Sequence, residues 1–486
     1  VYTREKNMSR KQSSVLAEVN ITDFTKKGHG LGVIVGSDRK VEVPFTIPGD
    51  KVSASLRRKR GGVFASQLNQ IIEPSPSRIA PRCVHFASCG GCRWQQIDYT
   101  QQLDIKQKYI ESLFRPLLPE NVPINRIIPC DPPWHYRNKM EFSFSSDAAG
   151  SKFLGLIIDG SRGKVVNLTE CHLVNPWFVD AIKATHQWWL ESGVLAYHPH
   201  SDKGSLRTLT VREGMSTGDR LVMLTVSGNP DYALNRQQLD SFTAFLRDAI
   251  KPENPKSTLS IFLRIQQAVK GQPTNFYEML LFGPDYIREV LHIQTEREGE
   301  MTSLEFDVSP SAFFQPNSRQ AEKLYSLGLQ LLDIHPGSVV YDLYCGTGTL
   351  GICAAKKAKM VIGVEISPES SLDARTNATK NGLENVKIFT GSVRDVIDEI
   401  RKDKVLPPPD VVMLDPPRAG LDPETLLHLE ALKPKKVLYI SCNPATQAEN
   451  LAVLQQIGYR VLVVQPVDQF PHTVHVENII VMELSP

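Results

Sequence analysis

Hydrophobic and polar positions change rhythm along the chain. Between residues 15 and 70 the runs VLAEVNITDF, GLGVIVG, KVEVPFTI and DKVSASLRRKR place apolar residues in short stretches broken by GHG, GSDRK and IPGD. Short β-branched runs bounded by glycine and proline predict strands, and four or five of them this close together predict a small β-barrel of the oligonucleotide-binding kind. A proline-rich stretch, IIEPSPSRIAPR, then reads as a linker. From Cys83 to about Phe314 the rhythm is mixed. KMEFSFS, FLGLIID, RTLTVREG and RLVMLTVSG read as strands, and 101–115, 176–192 and 236–249 as helices, an α+β region without internal repeats. From about residue 320 strand and helix alternate through SVVYDLY, MVIGVEI, VKIFTG, VVMLDPP and KVLYIS, and the chain closes with YRVLVVQPVD and ENIIVMEL. Such alternation requires parallel pairing with right-handed crossovers, so this part is a doubly wound α/β domain. The expected division is 12–70, 71–319 and 320–486.

Composition narrows the classes. With 486 residues, 41% apolar and 22% charged, the chain lies outside the disordered and collagen-like ranges and is long enough for more than one domain. The net charge is only +2, yet residues 1–70 hold 13 Lys/Arg against 6 Asp/Glu. A basic front end, including the run Arg57, Arg58, Lys59 and Arg60, suggests contact with a polyanion, most simply nucleic acid, although such a run is equally often a solvated surface. The chain lacks the roughly 18–20 uninterrupted apolar residues of a membrane span, and VYTREKNMSRKQSS lacks an export core, so a cytoplasmic protein without membrane contact is expected. Of eight cysteines, Cys83, Cys89 and Cys92 fall within ten residues. In a reducing compartment such crowding favours metal ligation or catalysis over disulfides.

The residues with chemistry to offer sit where the α/β strands end, which is where such sheets bind ligands. The first of these strands runs into Asp342-Leu343-Tyr344-Cys345-Gly346-Thr347-Gly348-Thr349 and then a helix. Glycines in that turn allow close approach of backbone to ligand, and the helix start offers free amides. Glu365 ends the second strand about 20 residues on, the place for a carboxylate that accepts from two ribose hydroxyls. Asp415 ends the fourth in Asp-Pro-Pro-Arg. Together these features resemble the S-adenosylmethionine pocket of class I methyltransferases.

Cys442, in Ser441-Cys442-Asn443-Pro444, follows the fifth strand directly. A cysteine there is ordinarily a packed hydrophobe, but this one shares a rim with Asp415, and the next-but-one proline turns the chain toward the cleft. Further on, Phe470-Pro471-His472-Thr473-Val474-His475-Val476-Glu477 sets two histidines and a glutamate before an apolar strand. A polar hairpin rim would explain that cluster, yet a partly buried Glu477 would also have the raised pKa that suits a proton acceptor. One reaction uses such a set. C5 of uracil is too weak a nucleophile to attack a methyl sulfonium, but thiolate addition at C6 gives C5 carbanion character, and a base must then remove the C5 proton so that the thiol leaves.

The set Ser309-Pro310-Ser311-Ala312-Phe313-Phe314-Gln315-Pro316-Asn317, Asp342 to Gly348, Asp415 to Arg418, Ser441 to Pro444 and His472 to Glu477 strongly resembles the RNA uracil-C5 methyltransferase family, along nearly the whole chain. The resemblance implies Cys442 as nucleophile and Glu477 as base, with Gln315, Tyr344, Glu365 and Asp415 lining the cofactor site. It implies that residues 15–70 are a TRAM domain, an RNA-binding barrel. It also implies a 4Fe-4S site at Cys83, Cys89, Cys92 and the distant Cys171. Three clustered thiols plus a remote one suit a cubane cluster, whereas structural zinc usually takes two paired motifs; zinc or unligated thiols are the alternatives. Cys130, Cys345 and Cys353 read as ordinary packed residues. In Tyr136-Arg137-Asn138-Lys139-Met140-Glu141-Phe142, Arg137 and Lys139 offer cations for phosphates or simply a strand-edge charge pattern.

Arg418 stands where exocyclic-amine methyltransferases carry a stacking aromatic, and Pro417 where RNA cytosine-C5 enzymes usually carry a cysteine, so uracil is favoured. The other readings are a non-catalytic RNA-binding protein and a redox iron–sulfur enzyme. Ribosomal RNA, specifically 23S, is the expected partner, transfer RNA the second, and the expected protein is a monomer.

Overall fold

A computed structural model describes residues 15–161, 163–252, 254–268, 271–295, 300–403 and 406–485, except the side chains of Arg58, Arg60 and Asp403. Residues 12–14 of the expected barrel, and the side chains of Arg58 and Arg60 in the basic run, therefore lie outside the described residues. The chain forms two compact units, one of 15–87, 91–102 and 472–474, the other of 88–90, 103–471 and 475–485.

In the first unit Leu16–Phe24, Gly30–Ile34, Lys40–Val43, Lys51–Arg60 and Val63–Glu73 close into a barrel, with the fifth strand seated between the third and the fourth. Alternation predicted these strands because alternate residues meet inside, where Val19, Ile21, Val41, Val43, Val52 and Ala54 form a small core. A Cβ on Gly32 would stand 2.2 Å from the Asn20 carbonyl oxygen, so only glycine lets these strands close up. The fifth strand runs three residues into the expected linker, since Lys51 pairs with Glu73 in the long hairpin.

In the second unit a six-stranded sheet contains Lys139–Ser146, Lys152–Gly155, Leu206–Glu213, Arg220–Ser227, Leu259–Gln267 and Asn275–Phe282, the last at one edge. Helices Trp177–Ser192 and Arg236–Ala249 pack on one face of it, where Trp188 and Phe242 meet at 5.0 Å. The strands Leu259–Gln267 and Asn275–Phe282, and the hairpin Ile287–Ile293 with Thr302–Val308, add to the strands foreseen for this region. FLGLIID is strand only at its start: the ladder with Lys139–Ser146 stops at Gly155, and only single bridges follow at Ile157 and Ile158.

The C-terminal sheet has seven strands in the order Val386–Thr390, Met360–Glu365, Val339–Leu343, Val411–Leu414, Lys436–Ser441, Glu477–Leu484, Tyr459–Val467. The first five are parallel, as alternation with helices demands, and the buried faces of the four after Val386–Thr390 explain their near-continuous apolar runs. Glu477–Leu484 is inserted antiparallel to both its neighbours. Its register sets Ser441 opposite Asn478, so the first residue of this strand lies beside the end of Lys436–Ser441.

Candidate active site

A cavity of about 820 Å³ opens at the carboxyl ends of the parallel strands, within the size range of small-molecule sites. Its walls include Gln315, Tyr344, Glu365, Asp415, Cys442 and Glu477, all six of the residues expected to act or to hold the cofactor. The turn after Val339–Leu343 is forced tight: Tyr344 takes φ +72° and Gly346 φ +55°, and the amides of Tyr344 and Cys345 both donate to the Val364 carbonyl. A Cβ placed on Gly346 would meet nothing within 4 Å, so the glycine leaves open space on a wall of the cavity. Glu365 is fixed as an acceptor by two backbone donors, Gly346 N at 2.9 Å to Oε2 and Ser367 N at 2.8 Å to Oε1. The Tyr344 hydroxyl is held by Thr425 Oγ1 at 2.8 Å and donates to Asp422 Oδ2 at 3.2 Å. Turn, acid and open space fit an adenosyl ligand.

Cys442 lies between Lys436–Ser441 and the helix Pro444–Gln456, whose first residue is a proline. Asn443, in the capping position, does not cap; its Nδ2 donates instead to the Arg418 carbonyl at 2.9 Å and ties the cysteine turn to the Asp-Pro-Pro-Arg loop. Three acidic groups among those lining the cavity, Cys442, Glu477 and Asp415, are each pushed toward the neutral form. Burial, with the Glu477 charge next in weight, pushes the Cys442 thiol up to about 11, while the Arg418 guanidinium pulls it down. Glu477 is 3% exposed, and burial, reinforced by Asp415, drives it well above the ordinary carboxylate range. Its Oε2 is buried without a hydrogen-bond partner. Asp415 rises to about 7 through burial, opposed by the Gln315 amide, which donates at 3.3 Å. Low-dielectric surroundings disfavour every added negative charge, so the site favours an incoming cation or hydrogen-bond donor.

Behind these residues lies a second rank of polar contacts, most of which carried no sequence signal. Buried Gln469 donates from Nε2 to Gln315 Oε1 at 3.2 Å, which turns the Gln315 amide nitrogen toward Asp415. Lys106 and Asp468 form a buried pair at 2.6 Å, and Lys106 also donates to the Phe470 carbonyl at 3.0 Å. Arg212, 2% exposed, donates to the carbonyls of Ser309 and Ala312 and pins the loop before Gln315. Asn138 is buried and donates to the Gln315 carbonyl at 2.8 Å, so the 136–142 segment supports the cavity wall at this residue. Lys139 is held down to about 8 by burial. Arg418 and Phe313 stood in quoted motifs without a role; both line the cavity, and Phe313 is 62% exposed.

His472 is buried in the first unit, where its carbonyl accepts from the amides of Arg93 and Trp94 and its own amide donates to Gln102 Oε1, which identifies a loop anchor. Cys130, Cys345 and Cys353 are buried, as expected of packed residues. Cys83, Cys89, Cys92 and Cys171 are half-buried. Among the described residues no group of three or more His, Cys, Asp or Glu is arranged to hold a metal ion, so the cluster expectation stands on the spacing of the thiols. No helix among the described residues is long and apolar enough to cross a membrane.

A doubly wound sheet with one antiparallel insertion and a strand-end cavity of this chemistry defines an S-adenosylmethionine-dependent methyltransferase fold. Comparison with known proteins places it further. Residues 275–484 match the family model described as tRNA (Uracil-5-)-methyltransferase, and residues 18–77 match the TRAM domain of tRNA (uracil(54)-C(5))-methyltransferase. An uncharacterized RNA methyltransferase of Protochlamydia amoebophila is 58% identical over 444 residues, 91% of this chain and all of that protein. One from Clostridium tetani is 34% identical, covering 95% of this chain and 96% of its own length. The crystal structure of Pyrococcus abyssi tRNA (uracil-54, C5)-methyltransferase with S-adenosyl-L-homocysteine shares the fold at TM-score 0.69 and 24% identity, over 96% of this chain and all of that one. The chain belongs to the RNA uracil-C5 methyltransferase family and is an RNA methyltransferase with a TRAM domain at its front.

Proposed function

We propose that the chain methylates C5 of a uridine in RNA by transient covalent catalysis, with Cys442 as nucleophile and Glu477 as base. The observation that carries this reading is the meeting of Cys442, Glu477 and the Glu365 acceptor in one cavity. S-adenosylmethionine, when bound, supplies an electrophilic methyl group; Glu365 receives its ribose hydroxyls, and Gln315, Tyr344 and Asp415 complete its walls. Arg418, which lowers the Cys442 pKa, favours the thiolate that adds to C6. Addition makes C5 the nucleophile. C5 takes the methyl group, leaving the pair of the broken S–methyl bond on the donor sulfur. Ionised Glu477 then accepts the C5 proton, the C5–H pair forms the C5–C6 double bond, and the C6–S pair returns to the sulfur of Cys442. Incubation with 5-fluorouridine RNA and cofactor should trap a covalent complex, because fluorine at C5 leaves no proton to remove. A Cys442→Ala protein that still traps would move the nucleophile elsewhere.

The substrate in this reading is 23S ribosomal RNA, because the resemblance attaches the combination of barrel and thiol cluster to family members that act on ribosomal RNA. Transfer RNA is the second reading, favoured by the descriptions of the matched family models. Mapping of 5-methyluridine in total RNA with and without the protein decides it: loss from 23S RNA supports the first, loss from transfer RNA alone overturns it. The same proposal makes Cys83, Cys89, Cys92 and Cys171 the ligands of a structural 4Fe-4S cluster. Anaerobic purification should then yield a brown protein with about four iron and four sulfide per chain; a colourless zinc protein would refute it. The reading places the protein in the cytoplasm as a monomer, so light scattering should give a mass near 54.3 kDa. It keeps 12–70, 71–319 and 320–486 as segments of sequence organisation. The last two share a core through Leu221, Met223 and Phe262, so urea should unfold them in one transition; two transitions would argue for independent domains.

A further inference from the structure

We infer that the edge strand Asn275–Phe282 is a docking platform for single-stranded RNA flanking the target uridine, an inference that rests on the reading above. This strand ends the six-stranded sheet, and every residue from Asn275 to Leu280 is exposed. Phe276 is 44% and Leu280 43% exposed on one face, Tyr277 55% and Met279 51% on the other. Large apolar side chains contiguous on an open edge mark an interaction surface. What it receives follows from the face that holds Phe276.

The Arg264 guanidinium lies over the Phe276 ring at 3.9 Å and pairs with Glu278 at 3.4 Å, directly opposite it in register. Glu278 is in turn hydrogen-bonded by the Ser311 hydroxyl. Ser311 lies in the loop whose later residues, Phe313 and Gln315, line the cavity. One continuous strip therefore runs from the cavity along the loop to a guanidinium–aromatic stack on an open edge. Uridine cannot reach a half-buried thiol inside a cavity unless it is turned out of its strand, which unstacks its neighbours. Unstacked bases are received by aromatic rings and guanidinium planes, and Phe276 with Arg264 offers both.

Fluorescence anisotropy with a fluorescein-labelled ten-nucleotide oligouridylate tests this on the full-length protein. Phe276→Ala should weaken binding roughly tenfold and Phe276→Tyr should restore it, with melting temperature and S-adenosylhomocysteine affinity unchanged. Tyr277→Ala, on the opposite face, should bind as wild type does. Phe276→Ala within about twofold of wild type would overturn the inference. So would equal losses in both variants, or a changed oligomeric state with unchanged RNA affinity, which would assign the edge to a protein partner. Formation of 5-methyluridine by the wild type is read separately: methylation without a Phe276 effect sinks only the platform, and no methylation sinks the reading beneath it.

Discussion

The barrel and the strand-end cavity handle charge in opposite ways. In the barrel the described cations stay at the surface: Arg57 and Lys59 are exposed, Arg57 donates to Gln67 at 2.6 Å, and Lys59 lies over the Phe64 ring at 5.5 Å. In the cavity burial drives Cys442, Asp415 and Glu477 toward neutrality, and neighbouring carboxylates add to the effect at Cys442 and Glu477. Solvated charge can attract a polyanion and is weakened by salt. Buried acids are useful for a different reason, since a small change in their surroundings, such as a bound cation, shifts their protonation strongly.

The contrast can be broken at several points. The largest effect is expected at Cys442→Ala, which should cut methylation by at least about 10⁴-fold while RNA binding, measured by anisotropy, stays near wild type; retained turnover would refute the covalent route. Next comes Glu477→Gln, expected to slow turnover by roughly 10²–10⁴-fold and to let a protein–RNA adduct accumulate on denaturing gels. Fast product release would contradict its role as base. The third concerns pH. A thiol held near 11 is mostly protonated at neutrality, so iodoacetamide labelling of Cys442 in the free protein should rise about tenfold per pH unit from 7 to 10. Arg418→Gln should lower it at each pH, and a plateau by pH 8.5 would refute the raised pKa. The smallest effect belongs to the barrel. The double variant Arg57→Ala, Lys59→Ala should weaken RNA binding modestly and reduce the slope of log K against log salt by about 0.7–0.9 per lost phosphate contact; an unchanged slope would leave these cations as plain surface.

Tyr344, Glu365, Asp415 and Cys442 were legible as candidates because they lie at or just past the ends of parallel strands, which such a sheet gathers, and Gln315 and Glu477 because of the motifs that hold them. The supports behind them were not. Gln469, Lys106 and Asn138 act through contacts with residues far away in sequence, and a buried amide or ammonium looks like any other polar residue until its partner is known. The edge strand Asn275–Phe282 gave no alternation to detect, because both of its faces are exposed from Asn275 to Leu280.

From the order of residues alone came the barrel, the alternating α/β half and the candidate thiol and carboxylate, since strand period, turn chemistry and reactive groups are local properties. The antiparallel insertion of Glu477–Leu484 between two other strands is a matter of pairing across the sheet. That reversal brings Glu477 to the end of the sheet where Cys442 stands, and burial there supplies the raised pKa that neither residue has in an extended chain.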